Sequence, residues 1–197
     1  MTTTDLGALI SSRICHDLIS PLGAIGNGVE LLNMSGHAES PELALIAESV
    51  ENANARIRFF RIAFGAANPG VEISQSEVQS ILHDSYRGDR IKVEWTVDGP
   101  LLRQEVKTAF LALQCLENTL PWGGKISVAR AQGAWSLVAT GEKTRFESDL
   151  WEKVSDDNNL QGIVASDVHF ALLCPAAKAA GTKVRTDIQE MQISISF

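Results

Sequence analysis

The sequence has few cysteines, no run of basic residues and no long apolar segment. Its three cysteines, Cys15, Cys115 and Cys174, stand far apart and form no Cys-x-x-Cys pair, which excludes a disulfide framework and a zinc signature. The formal net charge is −7, so the electrostatic footprint of a nucleic-acid binder is missing. No apolar run approaches the ~20 residues that cross a bilayer, and no secretion signal is visible at the N-terminus. These absences favour a reduced, cytoplasmic protein that binds neither nucleic acid nor membrane.

Two long helical patterns occupy the first third of the chain. The first predicts a helix from about Leu6 to Met34, ended by Ser35-Gly36-His37, and the second predicts a helix opened by Ser40 and Pro41. The apolar seam of the first helix is Leu18, Leu22, Ile25, Val29 and Leu32. The seam of the second is Leu43, Ile46, Val50, Ala53, Ile57, Phe60 and Phe64. Because two helices cannot enclose a core alone, we expect the hairpin (1–66) to form a dimeric four-helix bundle rather than be covered by the second half.

The pattern changes after a linker at 65–70, and a second domain is predicted at 71–197. Ser74 begins a capping box that opens a short helix ending near Tyr86. Alternating apolar residues predict a strand at 91–97, a hairpin at 125–131 and 134–140, and a C-terminal strand at 191–197. Helices are predicted at 104–118 and near 167–180. The fold class is therefore α+β, with a helical hairpin followed by a two-layer sandwich.

The most informative stretch of the first helix begins at His16. This histidine lies two positions before the seam residue Leu18, about 160° around the helix, so its ring should face solvent. A neutral imidazole is a nucleophile, and its ordinary pKa is close to neutral pH, so His16 is a candidate acceptor of a phosphoryl group. Asp17 could accept a hydrogen bond from one ring nitrogen and so orient the other for attack.

Three residues within about one turn of His16 are also candidates for a role at this site. Pro21 interrupts the hydrogen bonding of the helix and predicts a kink one turn after His16. Ser20 lies one turn along on the same face, and Arg13 lies one turn before it, where it could meet phosphoryl charge or an acidic partner. The alternative on chemistry alone is an incidental surface histidine beside an aspartate and a structural proline.

These residues resemble a known pattern. His16-Asp17-x-x-x-Pro21-Leu22 resembles the H-box of sensor histidine kinases, which lies on the first helix of a dimerisation bundle. The second half resembles the kinase ATP-binding domain by position. Residues 114–121 and 123–128 resemble an N-box helix and its following strand, and 138–143 falls where kinases carry Val-x-Asp-x-Gly-x-Gly.

The second half of the chain lacks the residues with which the kinase ATP-binding domain holds the nucleotide. Ala139 or Thr140 replaces the aspartate that recognises adenine, and Lys143 replaces a glycine. The last box, at 167–171, has no glycines, so the flexible phosphate loop is absent. The metal-binding asparagine position falls on Gln114, Glu117 or Asn118. An intact H-box joined to such a degenerate domain is similar to the ChpT-type histidine phosphotransferases of alphaproteobacteria.

This resemblance implies a homodimer that relays a phosphoryl group through His16, with Asp17 orienting the ring. The donor would be the receiver domain of a hybrid histidine kinase and the acceptors would be response regulators. The protein would need no cofactor of its own, since Mg²⁺ would come with the receiver. The docking surface is expected around His16, and an exposed Ile19 beside the small Gly23 would suit an apolar patch. Its full set is Arg13, Ile14, Ile19, Ser20 and Gly23.

Three other functions compete with this interpretation. A dimeric adaptor without catalysis would leave His16 incidental, and an active ATP-dependent histidine kinase would need the degenerate domain to bind ATP. A metal protein is disfavoured, because no two of its four histidines have ligand spacing on one helix. These histidines are His16, His37, His83 and His169.

Overall fold

The computed structural model describes residues 6–34, 41–88, 90–155 and 161–197. The helices are α1 (Leu6–Met34), α2 (Pro41–Ala63), α3 (Gln75–Tyr86), α4 (Arg103–Asn118), α5 (Ser148–Ser155) and α6 (Val168–Ala179). The strands are β1 (Glu72–Ile73), β2 (Ile91–Trp95), β3 (Leu101–Leu102), β4 (Gly124–Ala131), β5 (Ala134–Thr140), β6 (Arg185–Gln189) and β7 (Gln192–Ser196). The predicted α+β class is confirmed.

The chain divides into two compact units. The first contains Met1–Ala66 and Ser80–Arg87, and the second contains Ala67–Gln79 and Gly88–Phe197. The division falls inside α3, whose later turns group with the helical hairpin. The domain boundaries that the sequence suggests, 1–66 and 71–197, remain a prediction.

The first unit is built on the hairpin of α1 and α2. The N–H of Ala66 donates to Oγ of Ser12 at 3.0 Å, so the start of α1 lies beside the end of α2. Val50 lies directly against Gly26, so the contacts move back along α2 as they advance along α1, which is antiparallel packing. The predicted span of α1 is confirmed, whereas the predicted stop at 35–37 and the N-cap Ser40 lie outside the described residues.

A second apolar face of α2 packs on α3. Phe59 and Tyr86 meet edge to face with ring centroids 6.4 Å apart, and Nη1 of Arg58 donates to Oδ2 of Asp84 at 2.8 Å. Phe59, Ile62 and Ala55 are buried although none of them belongs to the predicted seam. Of the seven predicted seam residues of α2, only Val50 is buried within the single chain.

The second unit contains a five-stranded sheet of order β2-β4-β5-β7-β6. β2 and β4 are parallel and the remaining pairs are antiparallel. Alternate residues of the three central strands point into the core, and α4 packs against β5 and β7. The buried strand residues are Ile126, Val128, Trp135, Leu137, Ala139, Ile193 and Ile195.

Most predicted elements of this unit are present. Oγ of Ser74 accepts the N–H of Glu77 at 3.1 Å, as a helix N-cap should. The β4–β5 hairpin turns at Gln132 and Gly133, both with positive φ, which are the two residues between the predicted strands at 125–131 and 134–140. The polar edge strand β6, the short helix α5 and the β1–β3 pair were not predicted from the sequence.

Candidate active site

His16 projects from the middle of α1 into solvent. Its side chain is 83 % exposed, while its neighbour Cys15 is buried on the face towards the interior of the unit. The predicted exposure of His16 is therefore confirmed. Its ring is accessible to a macromolecular partner without any rearrangement of α1.

Asp17 connects His16 to Arg13. Oδ1 of Asp17 lies 3.2 Å from Nδ1 of His16, and Nε of Arg13 donates to Oδ2 of Asp17 at 2.8 Å. The hydrogen bond with His16 is the main cause that lowers the pKa of the Asp17 carboxyl, and Arg13 adds to this through its own hydrogen bond and charge, against partial desolvation. An ionised Asp17 can accept a hydrogen bond from Nδ1–H, and in that tautomer Nε2 of a neutral His16 has its lone pair free.

The other predicted residues divide between two faces of α1. Arg13 and Ser20 lie one turn either side of His16, and Gly23 lies two turns along, so the helix brings all three to the His16 side. Ile14 is 54 % exposed but lies about 160° from His16 around the helix, away from the ring. Ile14 instead continues the line of Leu18.

The expectation that Ile19 is exposed is wrong. Ile19 is half-buried because it lies one turn after the buried Cys15 and shares its face. Pro21 is exposed, and α1 continues through it as one helix, so the kink remains a prediction. Since Pro21 has no N–H, the carbonyl of Asp17 has no helical donor at that position.

In the second unit, Arg145 contacts Asn118, one of the three residues on which the metal-binding asparagine position of kinases could fall. Nη2 of Arg145 donates to Oδ1 of Asn118 at 3.1 Å, its backbone N–H donates to the Thr119 carbonyl at 2.9 Å, and its Nε pairs with Glu147 at 3.1 Å. The carboxamide of Asn118 is thus already engaged by a cation of the same chain. Sequence reasoning missed this contact because residue 118 ends α4, whereas residue 145 lies in the loop between β5 and α5.

His169, in the last degenerate box, is a core residue. It packs against Phe170 with ring centroids 4.7 Å apart, and burial lowers its pKa to about 4, only partly opposed by Asp167. Its Nε2 is buried and has no hydrogen-bond partner within the part of the chain that the structure describes. Among the same residues, no three His, Cys, Asp or Glu side chains form a group that could bind a metal, and no helix is long and apolar enough to cross a membrane.

Comparison with known proteins agrees with a chain that has a helical hairpin followed by an α+β unit. Residues 75–192 match the model of the histidine phosphotransferase C-terminal domain. The protein phosphotransferase ChpT of Brucella abortus is 42% identical over 191 residues, which cover 93% of this chain and 90% of that protein. A solved bacterial phosphotransferase is 31% identical, with a TM-score of 0.71 over 100% of this chain and 98% of the other.

The fold and these similarities thus define a phosphotransferase of the phosphorelay class. More specifically, the chain belongs to the histidine phosphotransferase family, as the resemblance implied. Receiver domains and response regulators are, in general terms, the partners that phosphorelay transfer requires.

Proposed function

We propose that His16 is the phosphoryl acceptor and donor of this protein. The observation that carries the proposal is an 83 % exposed imidazole whose Nδ1 faces the carboxylate of Asp17 at 3.2 Å. Nε2 of neutral His16 would attack the phosphorus of an aspartyl phosphate on a receiver domain. The N–P bond forms, the acyl P–O bond breaks, and the electron pair leaves with the receiver aspartate, so no proton has to move. The reverse step passes the group to a second receiver.

Asp17 has two roles in this step. Before attack, its carboxylate holds the proton on Nδ1 and so keeps Nε2 nucleophilic. During attack, positive charge develops on the imidazole ring, and the adjacent carboxylate stabilises that charge. The donor is proposed to be the receiver domain of a hybrid histidine kinase and the acceptors response regulators. Mg²⁺ would be bound by the receiver, which carries the acidic groups that prefer it.

The docking surface is proposed to surround His16. Arg13, Ser20 and Gly23 share its side of α1, and the small Gly23 leaves room for a partner's side chain. Ile19 is half-buried at the flank of this surface, and Ile14 lies on the opposite side of α1. We therefore expect Ser20 and Gly23 to contribute more to receiver binding than Ile14.

A homodimer is proposed from the apolar residues that the hairpin leaves exposed. Between 44 % and 59 % of each of these side chains is exposed in the single chain, in a stripe that a second copy would cover. On α1 the stripe consists of Ile10, Ile14, Leu18, Ile25 and Leu32, and α2 adds Ile46. The three free, buried cysteines suit the reducing cytoplasm proposed for the protein.

Transfer from a purified receiver domain tests the proposal. The receiver carries a labelled aspartyl phosphate, and the variants are His16→Ala and the matched control His83→Ala, which removes another exposed histidine. We expect the wild type and His83→Ala to gain label and His16→Ala to gain none. If His16→Ala gains label, His16 is not the phosphoryl acceptor. If the wild type gains none, the alternative of a dimeric adaptor without catalysis is favoured.

A parallel incubation with labelled ATP addresses the remaining alternative. Asn118 is occupied by Arg145, and the last box contributes the buried His169 instead of glycines, so we expect no label from ATP. Label on His16 from ATP alone would show that the protein is a kinase.

A further inference from the structure

The contact between His16 and Asp17 is not one that helix geometry provides. Adjacent residues on an α-helix point about 100° apart and do not face each other. Oδ1 of Asp17 nevertheless lies 3.2 Å from Nδ1 of His16. The Asp17 side chain is half exposed, so it could adopt other rotamers that point into solvent. The rotamer that faces His16 therefore requires a further contact to hold it.

Arg13 supplies that restraint. Its Nε donates to Oδ2 of Asp17 at 2.8 Å, while the other carboxylate oxygen faces His16. The two oxygens of a planar carboxylate are rigidly linked, so fixing Oδ2 also fixes Oδ1 relative to the imidazole. Arg13, Asp17 and His16 therefore form a linked series on one side of α1.

Helix stability does not account for this pair. In the favoured order on a helix the acid precedes the base by four residues, whereas here Arg13 precedes Asp17. The two side chains are 76 % and 50 % exposed, and ion pairs so exposed contribute little to folding. The main consequence of the contact is therefore the orientation of Asp17.

We propose that Arg13 is a positioning residue for phosphotransfer, which holds Asp17 so that His16 keeps its proton on Nδ1 and presents Nε2. This inference rests on the proposed role of His16. It assigns Arg13 a role within the chain instead of direct contact with the phosphoryl group or with a partner. The two roles predict different behaviour when Asp17 is absent.

A double-mutant cycle separates the two roles. The transfer rate from saturating phosphorylated receiver is measured for wild type, Arg13→Gln, Asp17→Ala and the double variant. We expect Arg13→Gln to slow transfer by roughly 3- to 10-fold in the wild type, but by less than about twofold in the Asp17→Ala background. Arg13→Lys, which keeps a cation near Oδ2, should restore most of the rate. Equal slowing by Arg13→Gln in both backgrounds would overturn the proposal.

A second readout does not depend on transfer. Long-range proton–nitrogen NMR spectra of the isolated protein report which ring nitrogen of neutral His16 carries the proton, and His83 serves as an internal control. We expect Arg13→Gln to reduce the Nδ1–H population of His16 towards the level in Asp17→Ala. An unchanged tautomer would refute the positioning role even if transfer occurs. If Arg13→Gln changes the tautomer of His16 but the wild type accepts no label, the proposed function alone would be refuted.

Discussion

At the scale of single residues, the two histidines at opposite extremes of burial do different things. His16 is exposed and is the proposed site of phosphotransfer, whereas His169 is a core residue whose imidazole stays neutral because burial disfavours its charged form. The pattern of apolar residues predicted the exposure of His16. It gave no comparable signal for His169, since its burial results from the packing of α6 in the second unit.

His169 should make the stability of the protein depend on pH. Its pKa is about 4 in the folded protein and 6.5 as the ordinary value, so between these pH values the unfolded chain binds a proton that the folded chain does not. The free energy of unfolding should therefore fall as the pH drops from 6.5 towards 4, by up to about 3 kcal/mol. His169→Leu should flatten this part of the profile.

Urea titrations at several pH values measure this effect. The difference between the wild type and His169→Leu at pH 7.5 gives the packing effect alone, and any further difference at lower pH gives the proton linkage. Parallel profiles for the two proteins from pH 7.5 to 4 would contradict the prediction.

At the scale of elements, α4 is the central helix of the second unit. Nine of its residues are buried, and Phe110 is fully buried with its ring 6.4 Å from that of Trp95. We expect Phe110→Ala to reduce the free energy of unfolding by about 3–5 kcal/mol, because it removes a large buried ring and leaves a cavity. Trp122→Ala is the matched control in the same unit, since Trp122 is 65 % exposed, and it should change stability by less than about 0.5 kcal/mol.

Far-UV circular dichroism during urea titration follows both variants without depending on tryptophan. If Phe110→Ala reduces the free energy of unfolding no more than Trp122→Ala does, then α4 is not central to the core of this unit.

The elements predicted well from sequence are those whose pattern is local. α1 and the β4–β5 hairpin were recovered because periodicity, the Gln132-Gly133 turn and capping residues act over a few positions. β6 was missed because it is a polar edge strand, with Ile188 as its large apolar residue. The burial of Phe59 was missed because it depends on contact with Tyr86 of α3, 27 residues further along.

The same limit applies to the candidate site. A hydrogen bond between the neighbours His16 and Asp17 could be proposed from the sequence, whereas the contact of Asn118 with Arg145 joins the end of α4 to a loop 27 residues further along. The contact of Arg13 with Asp17 could have been predicted, because residues four apart on a helix are neighbours. The sequence alone instead suggested a partner for Arg13 outside the chain. Local spacing identifies candidates, and only the structure shows which of them are already paired.

At the scale of the whole molecule, the exposed stripe of the hairpin should determine the oligomeric state. Ile25 lies within the stripe and is 49 % exposed, whereas Leu31 is 66 % exposed but lies about 120° away around α1. A charge introduced at Ile25 would be buried without a partner in the dimer, and we expect Ile25→Glu to weaken dimerisation by at least about 100-fold. Leu31→Glu places the same charge off the stripe and should leave the dimer intact.

Light scattering coupled to size-exclusion chromatography, over a range of protein concentrations, distinguishes these outcomes. A dimeric wild type and Leu31→Glu beside a monomeric Ile25→Glu would assign the interface to the stripe. If both variants stay dimeric, a different surface joins the copies, and a monomeric wild type would leave the stripe open to another partner. Because His16 lies on the opposite side of α1 from Ile14 and Leu18, dimerisation through the stripe would leave both copies of His16, the proposed phosphoryl acceptor, accessible to receivers.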